Sequence, residues 1–213
     1  MSKNLFVDKS CREFMGLLSS KQAVPGGGSA AALGGALAAG LTNMVLSLTV
    51  GKPKYVEYEE ELQAMLAEGM ELQNELLALA DADAEVFEPL SKAYSLPSDT
   101  NKEKSLKERC LSKASVKATK IPLAVAEKVV QAARICCRTA EIGTKMAISD
   151  IGCSAVFLQA AFEAARYNIA VNLPMIRDED FCTEVSDTTT WLSAELSLLA
   201  AQAKKTVDER LHK

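Results

Sequence analysis

Apolar positions recur along nearly the whole chain at spacings of three and four, the period of a helix with one buried face. Asp8 to Ser20 reads as a short amphipathic helix with Phe14, Leu17 and Leu18 turned inward. Pro25-Gly26-Gly27-Gly28-Ser29 reads as a turn, and an uncharged run continues to Val50 before Gly51-Lys52-Pro53-Lys54 breaks it. The pattern predicts a long helix from about Tyr55 to Tyr94 and a loop at Pro97-Ser98-Asp99-Thr100-Asn101. It predicts a further helix from Lys102 to Arg138, bent or restarted at Pro122. Gly143 marks a break, Ile151 to about Leu173 is another apolar helix, and Pro174 to Asp180 is a turn. Phe181 to Leu211 closes the chain with an amphipathic helix. No run alternates with the period of a strand, and no linker or repeat interrupts the pattern. The reading is all-α: a single-domain helical bundle over residues 1–213 with a buried central helix of small residues.

The uncharged run after Ser29 is long enough to span a bilayer. Its residues argue for a different setting. Ala30, Ala31, Ala32, Gly34, Gly35, Ala36, Ala38, Ala39 and Gly40 gain little from lipid, and Thr42, Asn43 and Ser47 interrupt them. No aromatic belt flanks the run. A helix that is apolar all round yet small belongs in the centre of a bundle or at a dimer interface.

Composition narrows the chemistry. Charged residues are 24% and hydrophobic residues 48%, ordinary for a soluble globular protein. The net charge of −4 and pI of about 5.2 leave no electrostatic footprint for nucleic acid and no polybasic membrane anchor. The six cysteines form no CxxC pair, and the lone histidine, His212, stands at the chain end. No metal site is expected from such a set. A Ser-His-Asp triad or Cys-His dyad is excluded, so acid–base work falls to Asp, Glu, Lys, Tyr or Cys. The start of the chain lacks the apolar core of a secretory signal, and free thiols point to a reducing, cytoplasmic setting.

Three stretches carry candidate chemistry. The glycine turn sits where a helix N-terminus favours an anion. It is neither a Walker loop nor GxGxxG after a strand, so a tight turn with Ser29 as N-cap is the plain alternative. In "LLALADADAEVFEPL", Asp83 falls three residues after Ala80 and four before Phe87, on the buried stripe, while Asp81 points elsewhere. A core-facing carboxylate costs free energy unless paired. Its pKa rises, which suits a general acid or base, or it is a structural Asp tied to a lysine or a helix end. Ser149 and Asp150 precede an apolar helix, with N-capping the default. Asn168 and Asn172 share one face, to bind a polar heterocycle or to tie helices together. Lys52 and Lys54 follow the uncharged helix directly, placed to border a cavity, whereas the lysines from Lys102 to Lys120 read as a solvated face.

Taken in order, "PGGGSAAALGGALAAGL", "GKPKY", "LADADAEVF", "PLAVAE", "SDIGCSA" and "YNIAVNL" resemble the cyclodeaminase/cyclohydrolase family of folate enzymes. That family comprises the C-terminal domain of formiminotransferase-cyclodeaminase and stand-alone bacterial methenyltetrahydrofolate cyclohydrolases. The resemblance spans essentially the whole chain. It implies an all-helical homodimer with a tetrahydrofolate derivative bound as substrate and no further cofactor, and the charge and composition read above add the expectation of no nucleic-acid or membrane partner. It implies Asp83 as the catalytic carboxylate. It also implies a substrate site drawn from Pro25, Gly26, Gly27, Gly28, Ser29, Lys54, Asp150 and Asn172. A chain of 213 residues is expected to hold no formiminotransferase domain beside this one. Hydrolysis of 5,10-methenyltetrahydrofolate is therefore the leading expectation, ahead of cyclodeamination of formiminotetrahydrofolate and of a non-catalytic helical interaction protein.

Overall fold

Small side chains decide where the helices of this protein meet. The computed structural model describes residues 5–212 and, among them, six α-helices. These are α1 (Cys11–Leu18), α2 (Gly27–Ser47), α3 (Glu59–Tyr94), α4 (Asn101–Ile142), α5 (Ile148–Asn172) and α6 (Glu179–Leu211). Helix α2 lies between α3 and α5, both running antiparallel to it, with α4 diagonally behind and α6 covering α4 and α5. Gly35 allows the close approach. A Cβ there would sit 3.0 Å from Val129 of α4 and 3.2 Å from Leu76 of α3. One continuous core joins Leu46, Leu62, Leu76, Val129, Ile151, Leu158 and Phe162, all essentially solvent-free.

Polar ties set the register of α2 against its neighbours. Thr42 and Ser154 share a hydroxyl hydrogen bond at 2.9 Å, and Ser154 Oγ donates to the Ala38 carbonyl at 2.8 Å. Asn43 Nδ2 donates to Gln73 Oε1 at 3.0 Å. At the far end the Thr144 N–H donates to Thr49 Oγ1 at 2.8 Å. Buried polar ties of this kind exclude helix slips that a uniform Ala/Gly surface would tolerate, although Asn43 Oδ1 itself is buried without a partner.

The helix count and order agree with the periodicity, and the differences lie at boundaries. Helix α4 runs unbroken through Pro122, whose side chain is buried and whose missing N–H the helix tolerates. Pro53–Tyr58 forms a 3₁₀ turn, so α3 starts at Glu59. Capping boxes start α1 (Ser10 with Glu13) and α4 (Thr100 with Glu103), and the Asp178 carboxylate accepts from the Phe181 N–H at the start of α6. Ser149 and Asp150 do not cap: α5 begins at Ile148 with Ala147 as N-cap, leaving both inside the first turn. All six cysteines are free thiols, and burial pushes Cys136 up to about 11, as befits core packing.

Two helical stretches, Gly27–Ser47 and Lys145–Met175, are long and apolar enough to cross a membrane, yet both pack into the bundle. Helix α2 differs from the expectation in one respect, because its outward face stays open. Leu76 is central to the core, so Leu76→Ala is expected to cost about 2–5 kcal/mol. Thermal denaturation checks this as a fall of roughly 5–15 °C in melting temperature.

Candidate active site

A helix needs acceptors for its first N–H groups, and α2 has a glycine, Gly26, at its N-cap with no side chain to offer. The missing acceptor comes from another helix. Asp83 of α3 places Oδ2 2.8 Å from the Ser29 N–H and 3.1 Å from the Ser29 hydroxyl, and both donate to it. Ser29 is thus not the N-cap. The helix starts two residues before it, and Ser29, wholly buried, holds the carboxylate that performs the capping. Asp81 faces the other way and accepts from the Phe6 N–H at 2.5 Å.

The approach of Asp83 depends on Gly28. A Cβ on Gly28 would lie 2.7 Å from Oδ2 and nearer still to Oδ1. Only a glycine lets the carboxylate rest against the α2 backbone. Gly27 is similarly tight, with a Cβ falling 3.3 Å from Asn168 Nδ2.

Beside this junction lies a cavity of about 330 Å³. Its rim is Ala23, Val24, Gly26, Gly27 and Gly28, and its apolar wall includes Val86, Phe87, Leu90, Tyr94 and Pro122. Asp83, Asn168 and Asn172 supply its polar side chains. Asn168 Nδ2 donates to the Ala164 carbonyl at 2.8 Å, which orients the amide. Asn172 is 8% exposed and its amide has no protein partner. Burial pushes the Asp83 carboxyl above its ordinary range, and the two Ser29 hydrogen bonds oppose but do not cancel that effect.

The structure therefore gathers Gly26, Gly27, Gly28, Asp83 and Asn172 from the sequence-based set, with Pro25 buried in the turn and Ser29 behind the carboxylate. It does not bring Lys54 or Asp150 to this cavity within one chain. Lys54 is exposed beyond the opposite end of α2, about 30 Å away along the helix. Asp150 lies in the first turn of α5, about 33 Å from Asn172 by helical rise. The apolar wall from α3 and α4 was not singled out in the sequence; its signal was the continuation of the α3 stripe past Asp83 through Phe87 and Leu90 to Tyr94.

The structure thus sets a half-buried carboxylate against a glycine turn, at a cavity of mixed polarity in an all-helical bundle. The family profile described as formiminotransferase-cyclodeaminase matches residues 10–190, and the chain belongs to that family. It is 34% identical over 208 residues to a methenyltetrahydrofolate cyclohydrolase of Methylorubrum extorquens, covering 96% of this chain and 99% of that one. It is 30% identical over 193 residues to the formimidoyltransferase-cyclodeaminase of Sus scrofa, covering 91% of this chain but only 36% of that longer protein. The crystal structure of a formiminotetrahydrofolate cyclodeaminase from Thermotoga maritima superposes with a TM-score of 0.86 at 27% identity, covering 96% of this chain and 98% of that one. The chain is accordingly an enzyme of folate one-carbon chemistry.

Two outcomes follow from the geometry. Gly28→Ala must expel the carboxylate from its Ser29 hydrogen bonds, so turnover is expected to fall about as far as in Asp83→Asn while the circular dichroism of the bundle persists. The raised pKa also fixes the sign of a stability change. The folded state holds the Asp83 proton more tightly than the unfolded chain does, so ionisation subtracts from stability as pH climbs through the raised pKa. Asp83→Asn is therefore expected to melt no lower than wild type at pH 7, with any gain vanishing below the ordinary carboxylate pKa.

Proposed function

We propose that this enzyme is a formiminotetrahydrofolate cyclodeaminase, with Asp83 as its proton-transfer group. The observation that carries the reading is the half-buried Asp83 carboxylate, raised in pKa and with Oδ1 free, at a cavity whose other polar side chains are neutral, the amides of Asn168 and Asn172 and the phenol of Tyr94. The order of the two reactions is reversed from the sequence-based expectation. The Thermotoga maritima neighbour matched along nearly its whole length and the formimidoyltransferase-cyclodeaminase relatives support cyclodeamination. The Methylorubrum extorquens relative, matched end to end, favours cyclohydrolase activity as the second reading.

In the cyclodeaminase direction N10 of the folate attacks the carbon of the formimino group, whose nitrogen is protonated, and forms a tetrahedral centre between N5 and N10. Asp83 takes the proton that N10 sheds and returns it to the amino group. The C–N bond then breaks, ammonia leaves, and 5,10-methenyltetrahydrofolate remains. In the hydrolytic direction the same carboxylate takes a proton from water adding to the methenyl carbon and delivers it to N5 as that C–N bond breaks, while the remaining hydroxyl proton passes to solvent as the formyl C=O forms. One carboxyl poised above its ordinary pKa serves either sequence.

The remaining residues bind. Gly27 and Gly28 line the cavity at the first turn of α2, where backbone N–H groups lack intrahelical acceptors and are available to a ligand. Asn172, with Asn168 beside it, offers the paired donor and acceptor that an amino-oxo-pyrimidine edge requires. Phe87, Leu90 and Pro122 give the flat ring an apolar wall. A cytoplasmic homodimer that engages neither nucleic acid nor membrane completes the proposal.

A paired assay on the purified protein tests it. Ammonia release from formiminotetrahydrofolate well above the buffer rate supports cyclodeamination. Loss of methenyltetrahydrofolate absorbance without ammonia release establishes the second reading, and silence in both arms removes both. Asp83→Asn is expected to lower turnover ~10²–10⁴-fold while keeping folate affinity. Because Asp83 works ionised, kcat/KM is expected to fall as pH drops through the raised pKa, with the acid limb above the ordinary aspartate range and absent in the Asn variant.

A further inference from the structure

We propose that this enzyme carries its substrate through two reactions in one residence: after ammonia leaves, the 5,10-methenyl product stays at Asp83 and is hydrolysed there to 10-formyltetrahydrofolate. The second reaction rests on the first, the cyclodeamination proposed for the same cavity.

One group serves every proton transfer at the reacting carbon. Asp83 and Tyr94 are the ionisable side chains of the described lining. Both belong to α3, about 16 Å of helical rise apart, so a carbon held at Asp83 is out of reach of the Tyr94 phenol. Ser29 holds Asp83 Oδ2 through its N–H at 2.8 Å and its hydroxyl at 3.1 Å, which leaves Oδ1 as the working atom. N10 gives its proton to Oδ1, and Oδ1 gives it to the amino group. The carbon–amino bond then breaks, and ammonia departs with its electron pair. Asp83 is ionised again, the form that takes a proton from water, and no other group has to be reset between the two steps.

Ammonia leaves from the place at which water must enter. In both steps the reacting carbon is bonded to N5, N10 and one further heteroatom, the amino nitrogen in the first and the water oxygen in the second. Ammonia and water are alike in size and in hydrogen bonding, and a water needs only about 30 Å³ and two to four polar partners. The glycine turn supplies such partners from two sides. Asp83 lies against Gly28 and Asn168 against Gly27, where a Cβ would fall 2.7 Å from Asp83 Oδ2 and 3.4 Å from Asn168 Oδ1. Asn168 Nδ2 donates to the Ala164 carbonyl at 2.8 Å, which leaves Oδ1 to accept. A water between the two acceptors donates both of its protons and keeps a lone pair for the carbon.

Charge retains the intermediate and releases the final product. The methenyl compound bears a positive charge shared by N5, the carbon and N10. It faces an ionised carboxylate that is half-buried, where opposite charges are screened less than in water. Val86, Phe87, Leu90 and Pro122 wall off solvent beside it. 10-Formyltetrahydrofolate is neutral at the same carbon, so hydrolysis removes the charge that holds the intermediate. The step balances. Water adds its oxygen to the methenyl carbon while Oδ1 takes one proton, and Oδ1 passes it to N5 as the C–N5 bond breaks with its electron pair on N5. The remaining hydroxyl proton passes to solvent as the formyl C=O forms. Protonated substrate and one water enter, and the 10-formyl product, ammonia and one proton leave.

Isotope trapping with the purified wild type tests the retention. Formiminotetrahydrofolate labelled at the formimino carbon is supplied with an excess of unlabelled 5,10-methenyltetrahydrofolate. Ammonia, labelled methenyl and labelled formyl compounds are followed at times short against hydrolysis in buffer. Labelled 10-formyl rising with the ammonia without a lag, and labelled methenyl as the minor species, is the expected result. Label collecting in the methenyl pool, with formyl following only as that pool is hydrolysed, overturns the retention and leaves the cyclodeaminase standing. Absence of ammonia release from the start removes the proposed function and the second step together. Asp83→Asn is expected to slow ammonia release and the hydrolysis of added methenyl compound by a similar factor, ~10²–10⁴. A variant that loses only one of the two activities assigns the steps to different groups and overturns the single carboxylate.

Discussion

Asp83 caps a helix to which it does not belong, and the working end of the molecule is arranged around that bond. Helix α2 begins with glycines because a side chain on Gly28 would occupy the space of the carboxylate. The carboxylate is there because the amide of Ser29 needs an acceptor. The two Ser29 donors hold Oδ2, while Oδ1 accepts no protein hydrogen bond and remains free for a proton. The helix end stabilises the anion, burial destabilises it more, and the balance leaves a carboxyl raised above its ordinary pKa.

The small residues of α2 follow from the same constraint. For Asp83 of α3 to touch the α2 backbone, the two helices must run close together, and α5 must come equally close to bring Asn168 to Gly27. Larger residues along the inner face of α2 would separate the helices and open the cavity to water. The hydrogen bonds of Thr42 with Ser154 and of Asn43 with Gln73 then fix the axial position that Ala and Gly leave undetermined. Packing sets the distance between helices, and polar ties set the register.

Most of the architecture was legible in the sequence because a three-to-four periodicity is a local property. The misread boundaries are those where a local signal is decided by tertiary context. Ser29 has the residue type of an N-cap, but the capping acceptor sits 54 positions away in sequence, and no window contains both. Pro122 carries the signal of a break, yet packing in the bundle carries α4 straight through it. Asp83 and Asn172 were readable as polar residues on apolar stripes, and the cavity takes both. Lys54, read from its position after the uncharged helix as bordering a cavity, and Asp150, read as beside a helix start, both lie away from the Asp83 cavity, because helix length carries each to the opposite end of the bundle.

Exposed apolar side chains such as Trp191 and Leu198 on α6 are separated along the helix and are ordinary for a protein surface. The stripe on α2 is contiguous, flanked by Phe157 and Met70, and lies on a helix whose inner face is already buried. A helix apolar on all sides but covered on only one is incomplete as a folding unit.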